Sequence, residues 1–197
     1  MTDMVQAAMA EQDDIASAGA MRRVWDPLVR LFHWSLVGGI VIAYQSPFRD
    51  FALHAMAGYA ALGLILFRVL WGVIGTRHAR FTDFVHRPST VFAYMGRIVK
   101  GTEARHLGHN PAGGAMVVAL ILSVTATALT GWLMYTSAYQ YGDDTIPRLH
   151  MLAANATLAL VVVHLAGVAL VSLHQRENLV LSMITGRKRA PEPGDVD

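Results

Sequence analysis

Four long apolar stretches constrain this chain more than any other feature of its sequence. They run from about Leu28 to Gln45, Phe51 to Ile74, Pro111 to Tyr135 and Leu149 to Leu173. The hydrocarbon core of a bilayer is about 30 Å thick, which takes roughly 20 helical residues to cross. Each stretch is of that order and holds few charges. The expected fold is therefore an all-α membrane protein, a bundle of four transmembrane helices. Asp26-Pro27 before the first stretch and Asn110-Pro111 before the third are start signals, a capping acceptor followed by proline at the first helical position. Composition agrees, since 15% of the 197 residues are charged against about 25% in a soluble domain.

Lysine and arginine set the expected orientation. Of 16 such residues, only Arg49 and Arg148 fall between the first and second or the third and fourth stretches. The rest flank the other ends, so both termini are expected in the cytoplasm. The expected location is an inner (plasma) membrane with the termini on its cytoplasmic face. A formal charge of +2 gives no reason to expect a nucleic-acid partner. Residues 1–21, polar, acidic and rich in alanine, lack the basic start and apolar run of a signal peptide; they read as a disordered tail. The four-helix domain spans residues 22–185, and 186–197 read as a second tail. In the longest loop, Pro88 to Lys100 sets Val91, Phe92, Met95, Ile98 and Val99 on one helical stripe. That pattern suits a short helix in the membrane interface or one packed on the bundle.

Cysteine is absent, which removes disulfides, iron–sulfur ligation and covalent c-type haem. Histidine is left as the main candidate ligand. His150 and His164 share the fourth stretch. Their spacing is about 1400° of helical rotation, about 40° short of four turns, so they share a face about 21 Å apart. His54 starts the second stretch level with His150. His33 lies near the start of the first, level with His164. Two depth-matched pairs result, His54 with His150 and His33 with His164. Facing imidazoles of this kind can supply both axial ligands of a haem. A single intramembrane histidine can also simply bond to a neighbouring helix. Gly58 and Gly167, close after His54 and His164, would let a macrocycle approach, or merely let helices pack. Arg30, Arg68 and Arg148 sit near span ends, where long cations snorkel; binding haem propionates is their second reading. His78, His86, His106 and His109 fall in or beside the basic loop and read as surface residues. His174 reads as touching solvent or a propionate.

The chain resembles the bacterial cytochrome b561 superfamily, which includes the b-type cytochrome subunits of nickel–iron hydrogenases. The likeness covers about residues 22–189. It is carried by Val-Trp-Asp-Pro-Leu-Val-Arg-Leu-Phe-His-Trp (24–34), His-Ala-Met-Ala-Gly-Tyr (54–59), Gly-His-Asn-Pro-Ala-Gly-Gly (108–114) and the His150/His164 pair. The resemblance implies two haem b groups between the helices, ligated by His33, His54, His150 and His164. It also implies electron transfer between the quinone pool and a partner outside the membrane: a hydrogenase, a soluble c-type cytochrome or a small oxidant. Quinone is expected at the cytoplasmic haem. Two other classes stay open, a small transporter using intramembrane histidines and a structural anchor of a redox complex.

Overall fold

The computed structural model describes residues 21–135 and 143–196; the expected tail over 1–20 lies outside them. In chain order the elements are strand β1 (Met21–Arg23), helices α1 (Pro27–Gln45) and α2 (Phe51–Ile74), a 3-10 turn (Arg77–Ala79), and helices α3 (Phe81–Phe84) and α4 (Pro88–Lys100). Then come α5 (Pro111–Leu133), α6 (Thr145–His174), α7 (Leu179–Thr185) and strand β2 (Arg187–Arg189). The protein is a four-helix membrane bundle: α1, α2, α5 and α6 are each long and apolar enough to span.

The starts follow the capping chemistry. Asp26 Oδ1 accepts from Val29 N at 2.9 Å, Asp50 Oδ1 from Leu53 N at 2.9 Å, and Asn110 Oδ1 from Gly113 N at 2.7 Å. Each satisfies an N–H that the first turn leaves without an intrahelical partner. Helix α6 begins four residues earlier than the apolar run suggests, at Thr145. Pro147 is tolerated inside its first turn because no intrahelical bond is lost there.

Helix α1 packs along α2, α5 along α6, and α2 against α5, which joins the two hairpins. Helices α1 and α6 approach each other little, although Tyr44 Oη donates across to Ala154 O at 2.6 Å. Halfway along, Phe32, Ala61, Ile65 and Val124 form a buried apolar layer with Leu36, Ile40 and Phe67 around it. Leu66, Val73, Leu152 and Leu173 point outward, a surface suited to lipid tails. The hydroxyls between α5 and α6 are satisfied locally. Thr157, buried on α6, meets Ser123 Oγ at 2.7 Å and Thr127 Oγ1 at 3.1 Å on α5 and donates to Ala153 O.

One end of the bundle carries β1, α3, α4, α7 and β2 and most of the basic residues; we call it the basic end and the other the far end. Residues from Gly186 onward, expected as a tail, are folded here. Strand β2 pairs antiparallel with β1, Met21 opposite Arg189. Gly186 O accepts from Val24 N and Trp25 N. Its φ of +80° suits glycine, and a Cβ there would lie 2.8 Å from Trp25 O. Met21, assigned to the first tail, is part of the same pairing. Beneath it Arg105 binds Glu177 (Nη2–Oε1 3.0 Å) and Asp195, with both glutamate and arginine side chains under a tenth exposed. Helix α4 spans the expected residues. It buries Tyr94 against the bundle and leaves Phe92, Met95 and Val99 exposed.

Candidate functional site

The far-end pair lines one cavity. His54, from the first turn of α2, and His150, from α6, stand with ring centroids 6.0 Å apart and planes at 87°. Each ring is held through Nδ1 by a carbonyl of the neighbouring helix. His54 Nδ1 lies 2.8 Å from Ala43 O, and His150 Nδ1 lies 2.9 Å from Thr127 O. A carbonyl only accepts, so Nδ1 carries the hydrogen in both and Nε2 keeps its lone pair. A bond of this kind is the usual support of a metal-ligating histidine. The surrounding cavity measures about 550 Å³ and is walled by apolar groups from all four long helices, Ile40, Tyr44, Val124 and Met151 among them. Gly39 and Gly58 line it with open space where a side chain would begin.

At the basic end His33 and His164 lie close enough for their charges to interact. The His33 ring packs edge-on against Trp34, centroids 5.0 Å apart, and its Nδ1 is buried without a hydrogen-bond partner. The same end holds groups that sequence reasoning undervalued. His109, read as a surface residue, is instead inserted between Trp25 (4.7 Å) and Phe84 (4.6 Å), with Nδ1 buried and unpartnered. Burial, with the charge of Arg68 as the next cause, pushes its pKa down to about 3, so it is neutral at any working pH. Arg68 itself is only 3% exposed.

The two arginines expected to assist sit differently. Arg148 is 80% exposed in its side chain and pairs with Asp144 at 3.5 Å. Arg30 donates from Nη1 to Thr185 O at 3.2 Å, and its Nε is buried without a partner. His174 is held by Glu103, 2.9 Å from its Nδ1, and His78 faces Asp83 at 3.3 Å.

Among the described residues no three His, Asp or Glu side chains converge on a point that could hold a bare metal ion. The intramembrane histidines come in pairs instead. A haem brings its own four equatorial nitrogens and needs two axial donors, so paired imidazoles with free Nε2 atoms, a glycine-lined cavity and orphaned buried nitrogens fit such a group.

The family described as prokaryotic cytochrome b561 matches residues 24–186. The chain belongs to that family. Membership makes it a membrane b-type cytochrome and haem b its cofactor class. It is also similar to a probable Ni/Fe-hydrogenase B-type cytochrome subunit of Bradyrhizobium diazoefficiens, 25% identical over 164 residues. That alignment spans 69% of this chain and 65% of the relative, so the chain covers somewhat less than two thirds of the relative's length. No solved structure gives a significant match.

Proposed function

We propose that this cytochrome holds two b haems, one at each end of the bundle, and carries electrons between quinone and a redox protein outside the membrane. The observation that carries the reading is the far-end pair, two imidazoles each fixed through Nδ1 by a neighbouring helix and both facing one haem-sized cavity. His54 and His150 would hold the far-end haem, and His33 and His164 the one at the basic end. Haem iron, once bound, supplies one-electron chemistry by alternating between ferrous and ferric states. The protein's part is to fix the axial imidazoles, exclude water with Ile40, Val124 and their neighbours, and hold the two sites about 21 Å apart along α6.

The excess of basic residues at one end supports a cytoplasmic placement of that end in the bacterial inner membrane, with both termini inside. Quinone is assigned to the basic end near His33 and His164. Quinone reduction takes up protons, and His78 with Asp83, together with His106, offers titratable groups there. The protein partner, a hydrogenase or a soluble c-type cytochrome, is assigned to the far end, where exposed Asp143, Asp144 and Arg148 surround the start of α6. The similarity to a hydrogenase cytochrome subunit supports the first of these partners.

The deciding experiment is an absorption spectrum of the purified protein with haem quantitation. Two haems per chain with sharp reduced α-bands are expected. A colourless protein would favour a transporter or a structural anchor instead. Quinone turnover by His164→Ala, which should keep only the far-end haem, tests the quinone assignment. Turnover equal to the unmodified protein would move quinone away from the basic end.

A further inference from the structure

Arg68 stands on α2 as His164 stands on α6. It follows His54 by the same interval that separates His164 from His150, which returns it to the same helical face about 21 Å further toward the basic end. The face of α2 that offers His54 to the far-end cavity therefore offers Arg68 at the level of His33 and His164. The guanidinium is nearly enclosed, at 3% exposure, and its Nη1 is buried without a hydrogen-bond partner. Its carbon lies 5.2 Å from the centre of the Phe81 ring and 5.6 Å from that of Phe84. His109 packs on the same Phe84 ring, centres 4.6 Å apart, and its Nδ1 is likewise unpartnered.

The acid whose charge Arg68 feels is Asp26, and both its oxygens are engaged elsewhere. Oδ1 accepts from Val29 N; Oδ2 accepts from Trp71 Nε1 at 3.2 Å and from Thr76 Oγ1 at 2.6 Å. A buried guanidinium with a free N–H is a costly arrangement unless an anionic acceptor arrives. The other arginines near the span ends are better compensated, although Arg30 Nε is also buried without a partner. Arg148 is exposed and paired, and Arg30 already donates to Thr185 O.

We infer that Arg68, with His109 against the same Phe84 ring, is the carboxylate-binding group of the basic-end site and takes a propionate of the haem that His33 and His164 would ligate. This rests on the two-haem reading above. It adds an anchor from α2 and one from the loop before α5 to the ligands from α1 and α6.

The test is a cycle between protein and cofactor in a His54→Ala background, which leaves only the basic-end haem. Apoprotein with Arg68 or with Arg68→Gln is loaded with haem b or with its dimethyl ester, which lacks both carboxylates. Haem loss to an acceptor apoprotein and the midpoint potential are then measured. Losing a charge-assisted hydrogen bond should speed haem loss roughly ten- to a hundredfold and lower the potential. Esterification should also speed haem loss but should raise the potential, since it removes negative charge, and for haem loss the two changes together should do no more than esterification alone. Additive effects, or an Arg68→Gln protein indistinguishable from its parent, would overturn the assignment. An effect that follows anionic lipid content rather than esterification would also overturn it, in favour of a lipid phosphate. If Arg68→Gln does not accumulate, Arg68→Lys, which keeps the charge but loses the fork, enters the same cycle with the same criterion. A parent protein that takes up no haem fails the two-haem reading itself, a different result from additivity in a haem-loaded one.

Discussion

An imidazole ligates through one nitrogen at a time, so the partner of its other nitrogen decides how firmly the ligand is aimed. At the far end that partner is a main-chain carbonyl on the next helix, an acceptor that does not depend on any side chain. On the two-haem reading, His54→Ala or His150→Ala loses the far-end haem, and His33→Ala or His164→Ala the other; haem quantitation on the four variants checks this. If His54→Ala and His33→Ala lost the same haem, the pairing would be wrong. Gly131 gives a subtler probe. A Cβ there would stand 3.1 Å from His150 Cε1, so Gly131→Val should displace the ring and lower far-end occupancy while leaving the basic-end site full. The depth pairing was legible because a helix converts residue number into height and angle. His109 was not legible, since a loop residue has no period to place it. Arg68 obeys the period, but arginines at span ends ordinarily reach for water, and only burial by Phe81 and Phe84 separates it from that default.

Elements divide by where their partners lie. The four long helices could be read from the chain because each satisfies its own backbone and needs only apolar neighbours. Strands β1 and β2 could not, because Arg187–Arg189 finds its place through Glu177, Arg105 and residues 21–25, all distant in sequence. Glu177 is the centre of that arrangement. Burial raises its pKa, but bonds from Arg105 and from Arg189 N outweigh this and leave it below the ordinary value of 4.5. A depressed folded-state pKa contributes stability that is present above about pH 4.5 and is lost as pH falls through the folded value. The β1–β2 cap should therefore loosen below that range, seen as faster proteolysis between α6 and β2. Glu177→Ala leaves Arg105 with a buried, half-compensated charge and should cost about 3–5 kcal/mol. Thermal unfolding measures that loss, and an unchanged midpoint would show that Asp195 alone suffices.

For the whole molecule, the two-haem reading implies that one chain passes charge from one leaflet to the other. An impermeant reductant added on the far-end side of oriented proteoliposomes should reduce both haems; a change that stops at half the absorbance would mean that the sites are electrically separate. Assembly has its own logic, visible in Asp26. One carboxylate starts α1 through Val29 and ties it to the exit of α2 through Trp71 and Thr76. Every partner in that clasp is made within residues 26–76, so the first hairpin can latch while the third and fourth spans are still on the ribosome. Residues 21–23 have no strand to join until 187–189 emerge. The walls of this protein are thus raised during synthesis, and its floor is laid last.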